Sequence, residues 1–334
     1  MRRALEFIIL NGDIMFIRKF AAAALAALAS LPAFAAGYPE KPVRIIVPYS
    51  PGGAVDVVAR KVAQKLQEQM GQPFVIENKP GATGTIGTQQ VARSDADGYT
   101  LLAIDNTYSV LPYVFKKLPW DHAKALTPIT VAAFTPVVIA VRSESPYKDL
   151  KSLVAAARSS PDKLTYGTGG SGSAPHFSAE AFAMAANVQL MHVPYKGAGE
   201  AMTGLISSQV DMLFVSTPSA SSQIKGGKVR ALAVSGGKRL ESFPDIPTFA
   251  EAGVPAFGVV NWSGLAAPAG TPDAVIARLH AEVKKALNTP DMKQFLASMS
   301  AEPGGMEPAA FSKLIREETA RWEPVSKKAN VERQ

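Results

Sequence analysis

The chain has 334 residues, of which 47% are hydrophobic, and it carries a formal net charge of +7. This length exceeds what one hydrophobic core usually spans and predicts two domains, while the apolar content excludes disorder for the bulk of the chain. Cysteine is absent, which excludes disulfides, cysteine-ligated metals and thiol nucleophiles. Lysines and arginines are scattered and form no stripe with aromatic residues, so nucleic acid binding is not predicted.

The first 35 residues have the pattern of a secretory signal peptide. A basic segment, residues 15–19, precedes the uninterrupted apolar stretch 20–31, and a small-x-small signal peptidase site ends at Ala35. The apolar stretch is shorter than the roughly 20 residues that span a bilayer as a helix. We predict cleavage after Ala35 and export to the periplasm, with an uncleaved anchor helix as the alternative. Residues 1–14 are a possible upstream extension, because the signal is complete from Met15.

Behind the signal peptide, strands and helices alternate along almost the whole chain. Short β-branched runs end near glycine or proline, and apolar residues between them recur at helical spacing. Thr248 and Glu251 have the spacing of a capping box and predict a helix start. The alternation predicts an α/β fold of parallel or mixed sheets flanked by helices. The predicted strands are 43–47, 74–76, 99–104, 136–141, 163–166, 189–193, 212–215 and 230–234, and the predicted helices include 150–158, 174–186 and 308–328.

No shift in composition marks a linker between two domains. This is expected where the chain crosses a hinge more than once, and the extended apolar segments 137–142 and 257–266 are the candidate crossings. The prediction is a discontinuous domain 1 of residues 36–137 and 262–334, and a domain 2 of residues 138–261.

Three glycine-bearing loops follow strands and precede helices: loop 1 (residues 48–56), loop 2 (81–87) and loop 3 (166–176). In open α/β sheets, ligands bind beyond the carboxyl ends of strands, where helix N-termini present unpaired N–H groups and a partial positive charge. The loops are therefore candidate anion sites. None of them contains an arginine, so we predict that neutral donors hold the anion, with Arg142 near the hinge as the main alternative.

Loop 1 and loop 2 each have a purely structural alternative. Gly52 and Gly53 let the backbone approach a ligand closely, but a tight strand-to-helix turn needs glycine as well. Asp56 is favourable in a first helical turn whether or not it contacts a ligand. The glycine pattern of loop 2 is weak, and a plain connecting loop is equally expected.

Loop 3 contains Gly167, Gly169 and Gly172 in a G-x-G-x-x-G pattern. A dinucleotide site would need an acidic residue about 20 positions further on, and the chain has His192 and Tyr195 there instead. Dinucleotide binding is therefore not predicted. Glycine-freed amides and hydroxyls at a helix N-terminus suit a carboxylate as well as a phosphate.

Catalysis by loop 3 is the alternative from another class of function. A serine hydrolase would use Ser171 or Ser173 with His176, but the G-x-S-x-G elbow is incomplete. Ser173 and His176 are also only three residues apart at the start of a predicted helix, which is an unusual arrangement for a nucleophilic serine and its general base. The chain has four histidines and neither an H-x-x-x-H motif nor a P-loop, so metal and nucleotide sites have no support. We predict no catalysis and no cofactor.

Several motifs carry a family resemblance that extends over nearly everything after the signal, to about Lys328. They are Tyr38–Pro48 with its Pro-Gly-Gly-x-x-Asp continuation, Glu77–Ala82, Asp97–Leu102, the Gly-Ser-Gly-Ser-x-x-His of loop 3, Val193–Gly197, Gln209–Asp211, Pro244–Gly253 and Ala267–Pro272. Because it has all these motifs in this order, the chain resembles the Bug-type periplasmic substrate-binding proteins of tripartite tricarboxylate transporters.

The resemblance implies a two-domain clamshell of the periplasmic binding type, without a cofactor, that binds a small organic acid. Such ligands are usually dicarboxylates or tricarboxylates, acidic amino acids or aromatic acids, and membrane transporter subunits are the implied partners. We expect a monomer. In such proteins the first and third loops hold a carboxylate through backbone amides, hydroxyls and waters. The predicted ligand-binding residues are Tyr49, Ser50, Gly52, Gly53, Asp56, Thr83, Thr168, Ser171, Ser173, His176 and Tyr195.

One segment departs from the family pattern. After β-strand residues 212–214, many relatives have an acidic or amide residue, whereas this chain has Val215-Ser216-Thr217. An amino-acid ligand, which some members of the family bind, is therefore less expected here, because its ammonium group needs a carboxylate partner. The sequence does not name the ligand, and a role as the ligand-loaded partner of a membrane sensor kinase stays open.

Overall fold

The computed structural model describes residues 37–195, 197–328 and 333, so the predicted signal peptide lies outside the described residues. The chain separates into Met1–Tyr38 and Pro39–Gln334, and the helices and strands named here lie in the second unit. Among the described residues, no helix has the length and apolar character needed to cross a membrane. The strands are β1 (Val43–Val47), β2 (Phe74–Asn78), β3 (Thr100–Asp105), β4 (Leu126–Arg142), β5 (Thr165–Thr168), β6 (Met191–Pro194), β7 (Met212–Ser216), β8 (Val229–Val234), β9 (Val260–Pro268) and β10 (Glu302–Pro303). The helices are α1 (Ala54–Met70), α2 (Thr85–Ala92), α3 (Thr107–Val114), α4 (Leu150–Ser159), α5 (Ala174–Ala186), α6 (Ala198–Ile206), α7 (Thr217–Lys225), α8 (Asp273–Leu287), α9 (Pro290–Ser298) and α10 (Pro308–Lys328).

The sheet combines parallel and antiparallel pairs. Its strand order is β2-β1-β3-β9-β4-β7-β5-β6, with β8 and β10 also paired to β4. β1 is parallel to β2 and β3, and β5 is parallel to β6 and β7, as strand–helix–strand repeats require. β9 and β4 supply the antiparallel pairs. The predicted fold class, an α/β fold with mixed sheets flanked by helices, is confirmed.

β4 joins the two halves of the sheet because its two segments have different partners. Its first segment pairs with β9, from Leu126 opposite Pro268 to Pro136 opposite Val260. From Val137 onward it pairs with β7 and β8. The sequence predicted only residues 136–141 as strand. Pro136 has no N–H to donate, and it is tolerated inside this 17-residue strand because it lies where one partner ends and the next begins.

Aromatic rings form much of the core around β5 and β7. Phe182 of α5 packs against Phe214 of β7, with ring centres 5.3 Å apart. Trp322 of α10 is fully buried in the same cluster, where its ring centre lies 5.7 Å from that of Phe177. Because each such ring removes roughly 150–250 Å² from water, this packing holds the C-terminal helix against α5.

The predicted helix at Thr248 is wrong, although its capping contacts form. The Thr248 N–H donates to Glu251 Oε2 at 2.8 Å, and the Glu251 N–H donates to Thr248 Oγ1 at 3.1 Å. The chain then continues as turns, because Gly253 adopts a φ of 91° and Pro255 follows two residues later. A capping box therefore closes a turn here without starting a helix.

Candidate functional site

The carboxyl ends of β3 and β7 lie close together along β4. Asp105, the last residue of β3, pairs with Ser263, which pairs with Ala133 of β4. Ser216, the last residue of β7, pairs with Val137. Four residues of β4 separate these positions, or about 13 Å at roughly 3.3 Å per residue. Because β1 is parallel to β3 and β5 is parallel to β7, loops 1 and 3 leave the two sheet halves at these neighbouring edges.

Loop 1 is held by the side chain of Asp56, which is 2% exposed. Its carboxylate accepts the Gly52 N–H at 2.9 Å, the Arg60 Nε and Nη2 groups at 3.0 Å and the Asn78 amide at 2.8 Å. Burial acts in the opposite direction, but the hydrogen bonds from Arg60, Gly52 and Asn78 hold the pKa of Asp56 below its usual value. Asp56 and the Gly52 N–H, both predicted to contact ligand, therefore bind each other and shape the loop.

Two other predicted residues of loop 1, Ser50 and Gly53, are open to solvent. Ser50 is exposed, and its hydroxyl makes no hydrogen bond to another described residue. Gly53 is the N-cap residue of α1, with φ −73° and ψ 165°, and a Cβ added there would meet no atom within 4 Å. A hydroxyl and a helix N-terminus are thus available at this edge of the sheet.

Tyr49 ties loop 1 to the end of β3 and to loop 2. Its hydroxyl donates to Asp105 Oδ1 at 2.7 Å, and the Thr107 hydroxyl donates to Oδ2 at 3.1 Å. A Cβ on Gly84 would lie 3.3 Å from the Tyr49 hydroxyl, so glycine allows loop 2 to lie against this ring. Burial, and next the Asp105 charge, raise the pKa of Tyr49, which keeps it a donor. Burial also raises the pKa of Asp105 to about 6, against the effect of the bonds from Tyr49 and Thr107.

Thr83, the predicted residue of loop 2, is half-buried and has a left-handed φ of 55°. It lies in the short 3₁₀ turn Ala82–Gly84 that precedes α2. Its hydroxyl makes no hydrogen bond to another described residue, whereas the Thr85 hydroxyl donates to the Ala82 carbonyl at 2.8 Å. The unused hydroxyl and the strained backbone keep Thr83 among the candidate ligand residues.

In loop 3, the hydroxyls of Thr168 and Ser173 hold the loop itself. Both donate to the Gly170 carbonyl, Ser173 at 2.7 Å and Thr168 at 3.2 Å. Ser173 is also the N-cap of α5, since its Oγ accepts the His176 N–H at 3.4 Å. Ser171, by contrast, is exposed, and its hydroxyl makes no hydrogen bond to another described residue. Ser171 is therefore the serine of loop 3 that is open to a ligand.

His176, the last residue of loop 3, turns its ring into the protein and is 5% exposed. Its Nδ1 accepts the Gly172 N–H at 3.0 Å, and its ring stacks on His192 with centres 3.9 Å apart. Burial, and next the neighbouring His192, lower the pKa of His176 to about 3, while burial lowers that of His192 to about 4. Both imidazoles are therefore neutral near pH 7.

Tyr195 contacts loop 3 through its backbone and through the edge of its ring. Its N–H donates to the Thr168 carbonyl at 3.0 Å. The ring packs where two glycines leave room, since a Cβ on Gly167 would lie 3.1 Å from Tyr195 Cε2 and one on Gly204 would collide with the Tyr195 hydroxyl. That hydroxyl donates to Gln209 Oε1 at 3.3 Å. The structure thus packs the ring between loop 3 and an apolar cluster shared with α6.

Comparison with known proteins decides the family. The family described as the tripartite tricarboxylate transporter family receptor matches residues 58–331. The chain belongs to this family of receptors. It is similar to the solved periplasmic binding protein BugD, with 35% identity, a TM-score of 0.78 and coverage of 89% of this chain and 100% of BugD. The predicted Bug-type resemblance is therefore confirmed.

Two further relatives of the receptor have been solved with small acids. A protein of R. palustris with adipate is 33% identical, with a TM-score of 0.81 and coverage of 89% of this chain and all of the other. MatC from Rhodopseudomonas palustris with bound malate is also 33% identical, with a TM-score of 0.77 and coverage of 86% and 100%.

Two acidic residues near the receptor's loop 1 were not predicted as site residues. Asp105 directly follows the predicted strand 99–104, so its place at a carboxyl end was a usable signal. Glu318 of α10 is 2% exposed and accepts the Trp262 indole N–H at 2.7 Å. Burial raises the pKa of Glu318 to about 7, the bond from Trp262 and the charge of Arg321 act the other way, and the Asp105 charge raises it further. Its position in the middle of a helix carries no signal in the sequence.

Arg142 of the receptor lies at the far end of β4 from the glycine loops. It pairs with Val229, the first residue of β8, whereas Val137 pairs with Ser216 at the carboxyl edge. Five residues of strand, about 16 Å, separate Arg142 from that edge. This placement argues against Arg142 as the group that clamps an anion.

Proposed function

We propose that this receptor is an exported solute-binding protein that captures a small organic carboxylate and presents it to a membrane transporter. The observation that carries the proposal is the position of the two carboxyl edges along β4, which brings loops 1 and 3 to neighbouring ends of the sheet halves. Relatives solved with adipate and with malate, each 33% identical, support a dicarboxylate as the ligand, and the family of tripartite tricarboxylate transporter receptors supports a tricarboxylate.

In this proposal, neutral donors hold the carboxylate. Loops 1, 2 and 3 contain no arginine or lysine, and Arg60, in the helix that begins at loop 1, is bound to Asp56. Each hydrogen bond to a charged group is worth about 1.5–3 kcal/mol. Four or five such bonds supply enough gross attraction to leave a net binding free energy of about −8 kcal/mol, which corresponds to micromolar affinity. The costs of ordering the loops and the ligand offset the remainder. α1 and α5 begin at loops 1 and 3 and add the positive ends of two helix dipoles.

The ligand groups that we propose differ in part from the sequence prediction. Ser50, Gly53, Thr83 and Ser171 contact the ligand directly, since their donors make no hydrogen bond to another residue that the structure describes. Residues whose polar groups are already paired position these donors instead. This second set comprises Tyr49, Gly52, Asp56, Thr168, Ser173, His176 and Tyr195.

The geometry of loop 3 supports binding without catalytic turnover. The Ser173 hydroxyl donates to the Gly170 carbonyl, and His176 Nδ1 accepts the Gly172 N–H. Its Nε2 then carries the proton, so neither nitrogen offers a lone pair to a serine. Treatment with a fluorophosphonate probe is expected to leave Ser171 and Ser173 unmodified, and labelling of either serine would favour a hydrolase.

We also infer that the cleft closes about β4 and β9. The change of partner along β4 supports a domain 1 of residues 36–137 and 262–334, a domain 2 of residues 138–261, and crossings at 137–142 and 257–266. Solution scattering should show a smaller radius of gyration with saturating ligand, and an unchanged radius would count against closure.

Export is the third part of the proposal. The signal pattern ending at Ala35 and the periplasmic relative BugD support it. The intact mass of the mature protein is expected to equal that of a chain that starts at residue 36. A mature form that retains residues 20–35 would contradict cleavage after Ala35.

A thermal-shift panel tests the ligand class. Malate, adipate and citrate are compared with the diamides of malate and adipate, which keep the size and lack the charge. A ligand at 100 times its Kd stabilises the protein by about 2.7 kcal/mol. We expect at least one acid to raise the melting temperature and its diamide to have no effect. An equal effect of acid and diamide, or no effect of any organic acid, would refute carboxylate binding.

A further inference from the structure

Two histidines and a tyrosine pack together on the buried side of loop 3, whose first and last residues are Tyr166 and His176. His176 stacks on His192 with ring centres 3.9 Å apart, and Tyr166 stacks on His192 at 4.9 Å. The Tyr166 hydroxyl donates to Glu180. These side chains come from β5, β6 and α5, and they are the titratable groups that the described residues place around His176. We call Tyr166, His176 and His192 the imidazole cluster.

The hydrogen bond at His176 fixes its protonation state. The Gly172 N–H donates to Nδ1 at 3.0 Å, which requires a lone pair on that nitrogen. The proton of the neutral ring is therefore on Nε2. A proton on Nδ1 would make two N–H groups face each other and would break the bond to Gly172. Burial, which lowers the pKa of His176 to about 3, works in the same direction as this bond.

The imidazole cluster also holds the other side of the turn. His192 Nε2 lies 2.7 Å from Thr168 Oγ1, which contacts the Gly170 carbonyl at 3.2 Å and the Gly170 N–H at 3.4 Å. Gly170 and Gly172 have φ values of 142° and 72°, so both need the conformational freedom of glycine. These two glycines flank Ser171. The two imidazoles thus anchor both backbone neighbours of the one serine of loop 3 that is exposed and makes no bond to another described residue.

We propose that His176 is a positioning residue of the binding site, which holds Gly172 so that Ser171 and the first turn of α5 face the ligand. Neutral His192, stacked on its ring, supports it and holds Gly170 through Thr168. The inference rests on the proposed function in one respect, the binding of a carboxylate at loop 3. Protonation of His176 releases Gly172, and acid therefore weakens ligand binding through the protein as well as through the ligand.

Two substitutions of similar size separate a positioning role from simple packing. His176→Asn keeps an acceptor oxygen near the place of Nδ1 and removes the titrating group, whereas His176→Leu removes the acceptor. Isothermal titration with malate and with adipate at about pH 7.5 is expected to give His176→Asn a Kd within about twofold of the unchanged protein. His176→Leu is expected to raise the Kd about tenfold, or about 1.4 kcal/mol. Equal affinity of both variants, or loss of binding in the Asn variant alone, would overturn the inference.

A measurement without ligand tests the inference independently and does not depend on how well His176→Leu folds. In ¹⁵N NMR spectra of the unsubstituted mature protein at about pH 5.5, His176 should show an unprotonated Nδ1 and a protonated Nε2. The Gly172 amide resonance should move on further acidification, and it should not do so in His176→Asn. A protonated Nδ1 at about pH 5.5 refutes the inference. If neither malate nor adipate binds the unsubstituted protein, the proposed ligand class is at fault, and the NMR result alone decides the role of His176.

Discussion

Loop 1 and loop 3 share one local design but are held by different chemistry. Each follows a buried strand and starts a helix from an N-cap residue in extended backbone, Gly53 for α1 and Ser173 for α5. Loop 1 is held by the ionised Asp56, whereas loop 3 is held by hydroxyls and by neutral imidazoles such as His176. The comparison shows that a strand–glycine–helix turn does not by itself determine which side chains anchor the loop. Those groups determine how the loop responds to substitution and to pH.

Two buried groups, His176 of loop 3 and Glu318 of α10, respond to pH in opposite directions. The unfolded chain protonates His176 below its ordinary pKa of about 6.5, and the folded protein does so only near 3, so stability from this residue is lost as pH falls through that range. Glu318, near loop 1, keeps its proton up to about pH 7 in the folded protein, while the unfolded chain loses it near 4.3. Its contribution is present at low pH and is lost as pH rises to about 7.

The largest expected effect comes from removing the charged anchor of loop 1. Asp56→Ala leaves the Gly52 N–H and the Asn78 amide without their acceptor, while Arg60, whose side chain is 49% exposed, turns to water. We expect the free energy of unfolding, measured with urea, to fall by about 3 kcal/mol. Glu317→Ala, which removes an exposed carboxylate of α10, is the control and should cause no comparable loss. Similar losses in the two variants would mean that Asp56 does not anchor the loop.

The second effect separates the two pH responses. Glu318→Gln keeps an acceptor for the Trp262 indole N–H but has no proton to lose. Between about pH 5 and pH 8, the free energy of unfolding should fall by about 2 kcal/mol more in the unsubstituted protein than in the variant, because only Glu318 must ionise in its buried place. Urea unfolding across a pH series measures this difference. Glu317→Gln is the matched control on the same helix, and parallel curves for the Glu318 variant and the parent would contradict the expectation.

The smallest effect distinguishes two serines within loop 3. Ser171→Ala removes a hydroxyl that makes no hydrogen bond to another described residue, so we expect the Kd of the bound carboxylate to rise about tenfold, or about 1.4 kcal/mol, with unchanged thermal stability. Ser173→Ala removes the N-cap of α5 and should cost about 1 kcal/mol of stability with a smaller change in affinity. Titration calorimetry and thermal unfolding measure the pair, and the reverse pattern would show that Ser173 is the ligand contact.

Most elements could be predicted from the sequence because their signals are local. β1, α5 and α10 have the predicted bounds 43–47, 174–186 and 308–328. The failures have non-local causes. The capping residues at Thr248 form their bonds without a helix, because the chain turns away at Gly253, and β4 extends far beyond residues 136–141 because β9 pairs with its first segment.

The sequence by itself determined the alternation of strands and helices, the three glycine-bearing loops and the neutral character of their donors. Tertiary structure decided which donors are free. Asp56 meets Asn78, 22 residues away, only because β1 and β2 pair, and His176 meets His192 because β5 and β6 pair. Periodicity and turn chemistry are properties of neighbouring residues. Whether a hydroxyl or amide holds a loop or is left for a ligand depends on groups that folding brings together from distant parts of the chain.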